Sequence, residues 1–137
     1  MDSPDAILRE VNTIAVVGCS RDPNKPAHAV PAQLQRFGFR IVPVNPYAGK
    51  LLGETTYRAL REVPFSVDLV LVFRPSSEAP AVADQAVEIG AKALWLQQGL
   101  RSVEAERIAR NAGLRYVEDE CSGVVRSVHH IDKRKAS

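Results

Sequence analysis

Apolar residues along this chain come in two alternating kinds of run. One kind is short and nearly unbroken: residues 13–18, 40–44, 67–73, 92–96 and 114–117 are dense in valine, isoleucine and leucine. Short apolar runs bounded by polar or glycine-containing turns predict strands of a parallel sheet buried on both faces. The other kind is spaced. Ile7, Leu8 and Val11 form one set; Val30, Leu34 and Phe37 another; then Ala79, Val82, Ala83, Ala86 and Val87, and finally Ala105, Ile108, Ala109 and Ala112. Intervals of three and four put each set on one face of a helix.

The punctuation agrees with the periods. Ser3 is placed to cap a helix over residues 4–11, Ser76 or Ser77 a helix running to about Ile89, and Ser102 the next, while Gly38 and Gly113 stand where helices should stop. Pro31 is awkward within a helix over residues 27–37, since proline is at ease only in a first helical turn; the regular helix is therefore expected to begin near His28 or Ala29. Residues 47–53 read as loop, and a short helix is expected over residues 57–61. Another is expected after Cys121, with Val124, Val125 and Val128 turned inward. Strands alternating with helices imply parallel pairing through right-handed crossovers. The expected fold is α/β: a single-domain, Rossmann-like doubly wound parallel sheet of about five strands with helices on both faces.

Composition narrows the class without changing this picture. A chain of 137 residues is expected to form one domain with a core of its own. No apolar run reaches membrane-spanning length, and the start Met1-Asp2-Ser3-Pro4-Asp5 is acidic where a signal peptide would be basic, so no membrane association is expected. Cys19 and Cys121 have neither metal-site nor disulfide-scaffold spacing, which points to a reduced, cytoplasmic setting. The net charge of +2 misleads until it is located. Residues 126–137 hold Arg126, Lys133, Arg134 and Lys135 against Asp132, and the remainder carries 14 basic and 15 acidic residues. A near-neutral body argues against general nucleic-acid binding, and the basic end is expected to be a solvated, frayed tail.

The chemistry gathers where the strands end. The first run stops at Gly18 and passes through Cys19-Ser20-Arg21-Asp22-Pro23-Asn24-Lys25 into a helical segment. A buried strand, a tight turn and a helix N-terminus form an anion site, and Ser20, Arg21 and Lys25 add side-chain donors. In an open parallel sheet ligands bind outside the carboxyl ends of the strands, so Val44-Asn45-Pro46, Phe73-Arg74-Pro75 and Gln97-Gln98-Gly99 join the same rim. Arg74, directly after an apolar strand, either forms a salt bridge or meets an anionic ligand. The residues point to a nucleotide-type ligand held by its phosphates. A dinucleotide fold would carry three glycines after its first strand and a carboxylate ending its second; one glycine is present and no carboxylate, so hydride transfer with NAD is disfavoured.

The run Gly18-Cys19-Ser20-Arg21-Asp22-Pro23, followed by Pro43-Val44-Asn45-Pro46, Gly53-Glu54, Val67-Asp68, Val72-Phe73-Arg74-Pro75, Trp95-Leu96-Gln97-Gln98-Gly99 and a late Cys121, resembles the small single-domain CoA-binding proteins. These are similar to the N-terminal CoA-binding domain of the succinyl-CoA synthetase α subunit. The likeness spans about residues 6–131 and rests on order and spacing rather than on any one motif. It implies a Rossmann-type domain that binds coenzyme A or an acyl-CoA. By position it implies that Gly18, Ser20, Arg21 and Lys25 meet the phosphates and that Val44, Asn45 and Pro46 line the nucleotide. Phe73, Arg74 and Pro75 would border the adenosine or pyrophosphate, with Gln97, Gln98 and Gly99 toward the pantetheine arm.

No catalytic group accompanies this set. The synthetase's phosphorylated histidine belongs to a second domain, and His129 and His130 lie in the basic end without a glycine-rich loop beside them. His28 could donate to a phosphate or cap the helix. Cys19, beside Arg21 and a helix N-terminus, could have a lowered thiol pKa and redox chemistry, or could simply pack; Cys121 could pack or face the ligand's thiol end. Glu118-Asp119-Glu120 lacks a nearby ligand histidine and reads as a solvated loop rather than a metal site. The reading is a non-catalytic CoA-binding sensor, carrier or accessory protein, with a protein partner or homo-oligomer left open. The alternatives are a nucleotide-dependent oxidoreductase or thiol-redox protein using Cys19, and a module whose binding depends on the basic tail.

Overall fold

In the computed structural model, which describes residues 3–47 and 49–134, the apolar runs become one parallel sheet. The elements follow as α1 (Pro4–Glu10), β1 (Thr13–Val17), α2 (Pro26–Arg36), β2 (Arg40–Val44), β3 (Lys50–Leu51), β4 (Glu54–Thr55), β5 (Leu69–Val72), α3 (Ala79–Glu88), β6 (Ala93–Leu96), α4 (Val103–Asn111), β7 (Arg115–Val117) and α5 (Ser122–Val128), with single 3-10 turns at Leu60–Glu62 and Ser76–Glu78. The main sheet has the order β2-β1-β5-β6-β7, all parallel, in register from Thr13 opposite Arg40 to Trp95 opposite Val117. The fold is the expected Rossmann-like α/β sheet.

Alternation along each strand divides the core in two. Ala15, Val42, Val70 and Leu94 pack under α3 and α4, whose alanines (Ala83, Ala86, Ala105 and Ala109) let those helices lie close. Ile14, Val16, Ile41, Leu71 and Trp95 face α1, α2 and α5 on the other side, meeting Ile7, Leu8, Leu34 and Val125. Trp95 is fully buried, and its indole N–H donates to the Glu120 carbonyl at 2.9 Å. At the amino edge, the Asn12 and Thr13 N–H groups donate to one Asp68 carboxylate oxygen at 2.9 and 3.0 Å, which ties the entry of β1 to that of β5. No helix among the described residues is long and apolar enough to cross a membrane.

Several local expectations need correction. Residues 47–53 are not simply loop, because β3 and β4 pair as a small antiparallel hairpin. Helix α2 begins at Pro26 rather than near His28 or Ala29, and it accommodates Pro31 as its sixth residue. Ser3 and the 76–77 serines do not cap: the Ser3 hydroxyl bonds the Asp5 carboxylate, and the Ser76 hydroxyl accepts the Arg101 N–H at 3.1 Å. Ser102 does cap α4, accepting the Ala105 N–H at 3.0 Å. On α5 only Val125 turns inward, while Val124 and Val128 are exposed. The inward place is taken by Gly123, where a Cβ would run into the Gln33 side-chain oxygen, and by Arg126.

Where a frayed basic end was expected, residues 126–134 are docked. Ile131 is buried, the Arg126 guanidinium lies 3.6 Å from the Phe37 ring centre, and the Lys133 N–H donates to the Phe37 carbonyl at 2.7 Å. Lys135 and the two residues after it lie outside the described residues, as do Met1 and Asp2 of the acidic start.

Candidate functional site

Strand order places the site. The chain leaves β1 for β2 on one side and returns through β5 on the other, so the carboxyl ends of β1 and β5 flank a switch in direction, where the connections part and leave a crevice. A cleft of about 910 Å³ occupies that position.

Its floor is the turn after β1. Gly18 has φ +88°, and a Cβ there would lie 2.8 Å from the Arg74 Cδ and 3.3 Å from the Phe73 carbonyl carbon, so any other residue is strained there. The turn is anchored on both sides. The Gly18 N–H donates to the Val44 carbonyl at 3.0 Å, and the Asn45 side-chain amide donates to the Cys19 carbonyl at 2.8 Å. The Ser20 N–H donates to the Ala27 carbonyl at 3.0 Å, and the His28 Nδ1 meets the Ser20 carbonyl at 2.7 Å. Beyond it, the Ser20 hydroxyl accepts the Asp22 N–H and the Asp22 carboxylate accepts the Asn24 N–H, two side-chain turns that lead the chain into α2. The loop thus lies over the amino end of α2, where the helix dipole favours an anion; Pro26 has no N–H there, and the His28 and Ala29 N–H groups donate to the Lys25 carbonyl.

Ten of the residues expected at the rim line this cleft together: Gly18, Cys19, Ser20, Arg21, Lys25, Val44, Asn45, Pro46, Phe73 and Arg74. Pro75, Gln97, Gln98 and Gly99 do not line it. Gln97 is buried and accepts both the N–H and the hydroxyl of Ser122, and the Gly99 N–H donates to Asp119 at 2.7 Å, so these groups secure the chain after β6 to that after β7.

Charge is arranged unevenly. Arg74 lines the cleft and pairs with Glu78 at 2.8 Å, a contact that raises its pKa. Among the described residues Arg21, Lys25, Lys50 and Arg58 have no ion-pair partner. Arg21, Lys25 and Arg58 line the main cleft, and Arg21 and Lys50 line a side pocket of about 100 Å³ with Asn45 and the exposed Tyr47.

Sequence reasoning missed Tyr47, Lys50 and Arg58. Arg58 follows Tyr57, which bridges to Val44 as a one-residue extension of the sheet, just as Arg74 follows Phe73 after β5; a single bridging residue leaves no period in the sequence.

The cysteine expectation is corrected. Cys19 is completely buried, and desolvation pushes its thiol up to about 11, only partly offset by the Ser20 N–H; proximity to a helix N-terminus does not activate a thiol that water cannot reach. Cys121 is partly exposed and precedes α5. His28 is engaged with the Ser20 carbonyl, and His129 and His130 are exposed beyond the end of α5. Two of the three acidic residues are paired, with Arg101 meeting Asp119 at 2.7 Å and Glu118 at 3.4 Å, while Glu120 is exposed, and no cluster of three metal-ligating side chains occurs among the described residues.

The CoA binding domain family has a model that matches residues 12–127. The chain is similar to the uncharacterised Bacillus subtilis protein YneT, at 37% identity over 122 residues, covering 89% of this chain and 90% of that protein. It is also similar to ADP-forming acetate–CoA ligase II of Archaeoglobus fulgidus, at 30% identity over 125 residues; that match covers 82% of this chain but only 19% of the ligase. Among solved structures, one from Thermus thermophilus superposes with a TM-score of 0.86 at 36% identity, covering 90% of this chain and 93% of the other. A Pyrococcus horikoshii protein superposes with a TM-score of 0.88 at 29% identity, covering 92% and 91%.

Proposed function

Because the chain belongs to the CoA-binding domain family, we propose that it binds coenzyme A or an acyl-CoA in the cleft at the carboxyl edge of the sheet. The observation that carries this reading is the meeting of unpaired Arg21 and Lys25 with the amino end of α2 over a glycine turn, a constellation suited to a pyrophosphate. The Ser20 hydroxyl, already accepting from Asp22, keeps its hydrogen to donate. Val44, Asn45 and Pro46 border the nucleotide, with the exposed Tyr47 ring beside them as a face on which a base can stack. Arg21 and Lys50 around the side pocket suit the remaining phosphate of CoA, a phosphomonoester on the ribose. Phe73, Ala81 and Val82 supply the apolar wall for the pantetheine arm. Pro75, Gln97, Gln98 and Gly99, outside the cleft, are left out of the proposed site.

The role proposed is binding without catalysis: a sensor, carrier or accessory protein. The chain spans 19% of the ligase it matches, and the ligase reaction is not carried over to it. The thiol-redox alternative has little support, since Cys19 is buried and its thiol is held protonated near neutral pH.

Titration of CoA into wild-type protein, Arg21→Ala and Lys25→Ala tests the assignment. Each lost charge-assisted bond should weaken binding by about 1–3 kcal/mol. Unchanged affinity in both variants would remove these residues from the site.

A further inference from the structure

The proline that sits awkwardly in α2 has a partner for the bond it breaks. A proline inside a helix gives no N–H to the carbonyl four residues back, and its ring crowds that carbonyl aside. For Pro31 the carbonyl belongs to Ala27, and it accepts the Ser20 N–H at 3.0 Å. One residue further along, the His28 ring nitrogen holds the Ser20 carbonyl at 2.7 Å. Both backbone polar groups of Ser20, at the centre of the glycine turn, are therefore held by the first turn of α2.

We propose that Pro31 is a positioning residue for the 18–21 loop: it releases the Ala27 carbonyl from the helix so that the carbonyl can fix the Ser20 N–H, and with it the phosphate-facing geometry of the loop. The binding half of this role rests on the reading of the loop as a CoA phosphate site. Any residue but proline at position 31 brings an N–H whose natural partner in a regular helix is the same Ala27 oxygen. The helix would then close its own ladder, the ring would no longer tilt the carbonyl outward, and Ser20 would lose its hold. Pro26, by contrast, stands at the first helical position, where a missing N–H has no intrahelical role. Its replacement should leave the Ser20 contacts alone, because the carbonyl four residues before it belongs to Asp22, which holds no backbone group of Ser20.

Three variants and three readouts decide this. In ligand-free Pro31→Ala, the Ser20 amide should exchange with deuterium at least about tenfold faster than in wild type. CoA affinity should fall by about three- to tenfold, and the thermal midpoint should stay or rise, because alanine is the better helix former. Pro31→Val, which refills the buried volume and brings the same N–H, should behave alike, and Pro26→Ala should leave the Ser20 exchange rate unchanged. A lower affinity that merely follows lost stability would place Pro31 among packing residues and overturn the proposal. Retained protection of Ser20 in both position-31 variants would overturn it too, as would lost protection with unchanged affinity. Failure of wild-type protein to bind CoA would sink the functional reading separately, and the Ser20 exchange rate would still decide whether Pro31 holds the loop.

Discussion

Gly18→Ala joins the fold to the site in one substitution. Gly18 has φ +88°, a left-handed conformation that an alanine occupies at a cost of about 1–2 kcal/mol. The added Cβ would also lie 2.8 Å from the Arg74 Cδ and 3.2 Å from its Cγ. That side chain can swing away, giving up an exposed pair with Glu78 worth about 0.3–0.5 kcal/mol. The contact of 3.3 Å with the Phe73 carbonyl carbon is different, because it is backbone and must be relieved by shifting the ends of β1 and β5 apart. Together these terms make the variant about 2 kcal/mol less stable, with a thermal midpoint lower by roughly 5–10 °C for a domain of this size. CoA affinity should fall as well, since the shift moves the turn against α2. Gly53→Ala isolates the contact: Gly53 has φ +74° with nothing within 4 Å of a Cβ, so it carries the backbone cost alone. Urea denaturation followed by circular dichroism, with calorimetric titration of CoA, reads both effects. A Gly18→Ala protein within 0.5 kcal/mol of wild type, or no less stable than Gly53→Ala, would refute the reasoning.

Other outcomes follow from the same geometry. Cys19, buried with its thiol pushed up to about 11, should resist iodoacetamide at pH 8 in native protein while the partly exposed Cys121 is labelled, as peptide mass spectrometry would show; rapid labelling of Cys19 would contradict its placement. Burial works against the Asp68 carboxylate, but hydrogen bonds from Thr13 and Asn12, with Lys92 beside it, still hold its pKa below the ordinary 3.8. A carboxylate depressed on folding contributes stability that is present above 3.8 and is lost as pH falls through the lower folded value. Denaturation midpoints should therefore drop below about pH 4 in wild type and less so in Asp68→Asn, and matching slopes would sink this attribution. Lys50→Ala should cut the preference for CoA over dephospho-CoA by about tenfold if the side pocket holds the ribose phosphate; an unchanged ratio would remove Lys50 from that role.

The sheet was readable because a strand buried on both faces has no choice of residue: the runs ending at Val17, Val44, Val72, Leu96 and Val117 are apolar almost throughout. Much of the lining of the cleft was readable for a related reason, since strand ends in a parallel sheet converge on one edge whatever the loops do. What escaped depended on contacts between distant residues. Two-residue strands such as β3 and β4 carry no period, so the hairpin that brings Lys50 to the side pocket was invisible. The inward face of α5 is set by Gly123 meeting Gln33 and by Arg126 lying on Phe37, both from α2 and its end, which outweighed the valine spacing. Pro31 misled about the start of α2 because the acceptor it frees is used by Ser20, eleven positions earlier. The Cys19 thiol misled in sign because sequence gives its charged neighbours and not its burial.

In the proposed reading the cleft at the β1–β5 switch holds coenzyme A by its phosphates. Calorimetric titration of ligand-stripped protein with CoA, acetyl-CoA, NAD and ATP in parallel tests it most directly. The expected result is binding of CoA and acetyl-CoA, with NAD and ATP far weaker. Binding of NAD without CoA would contradict the claim and put the nucleotide-dependent oxidoreductase in its place.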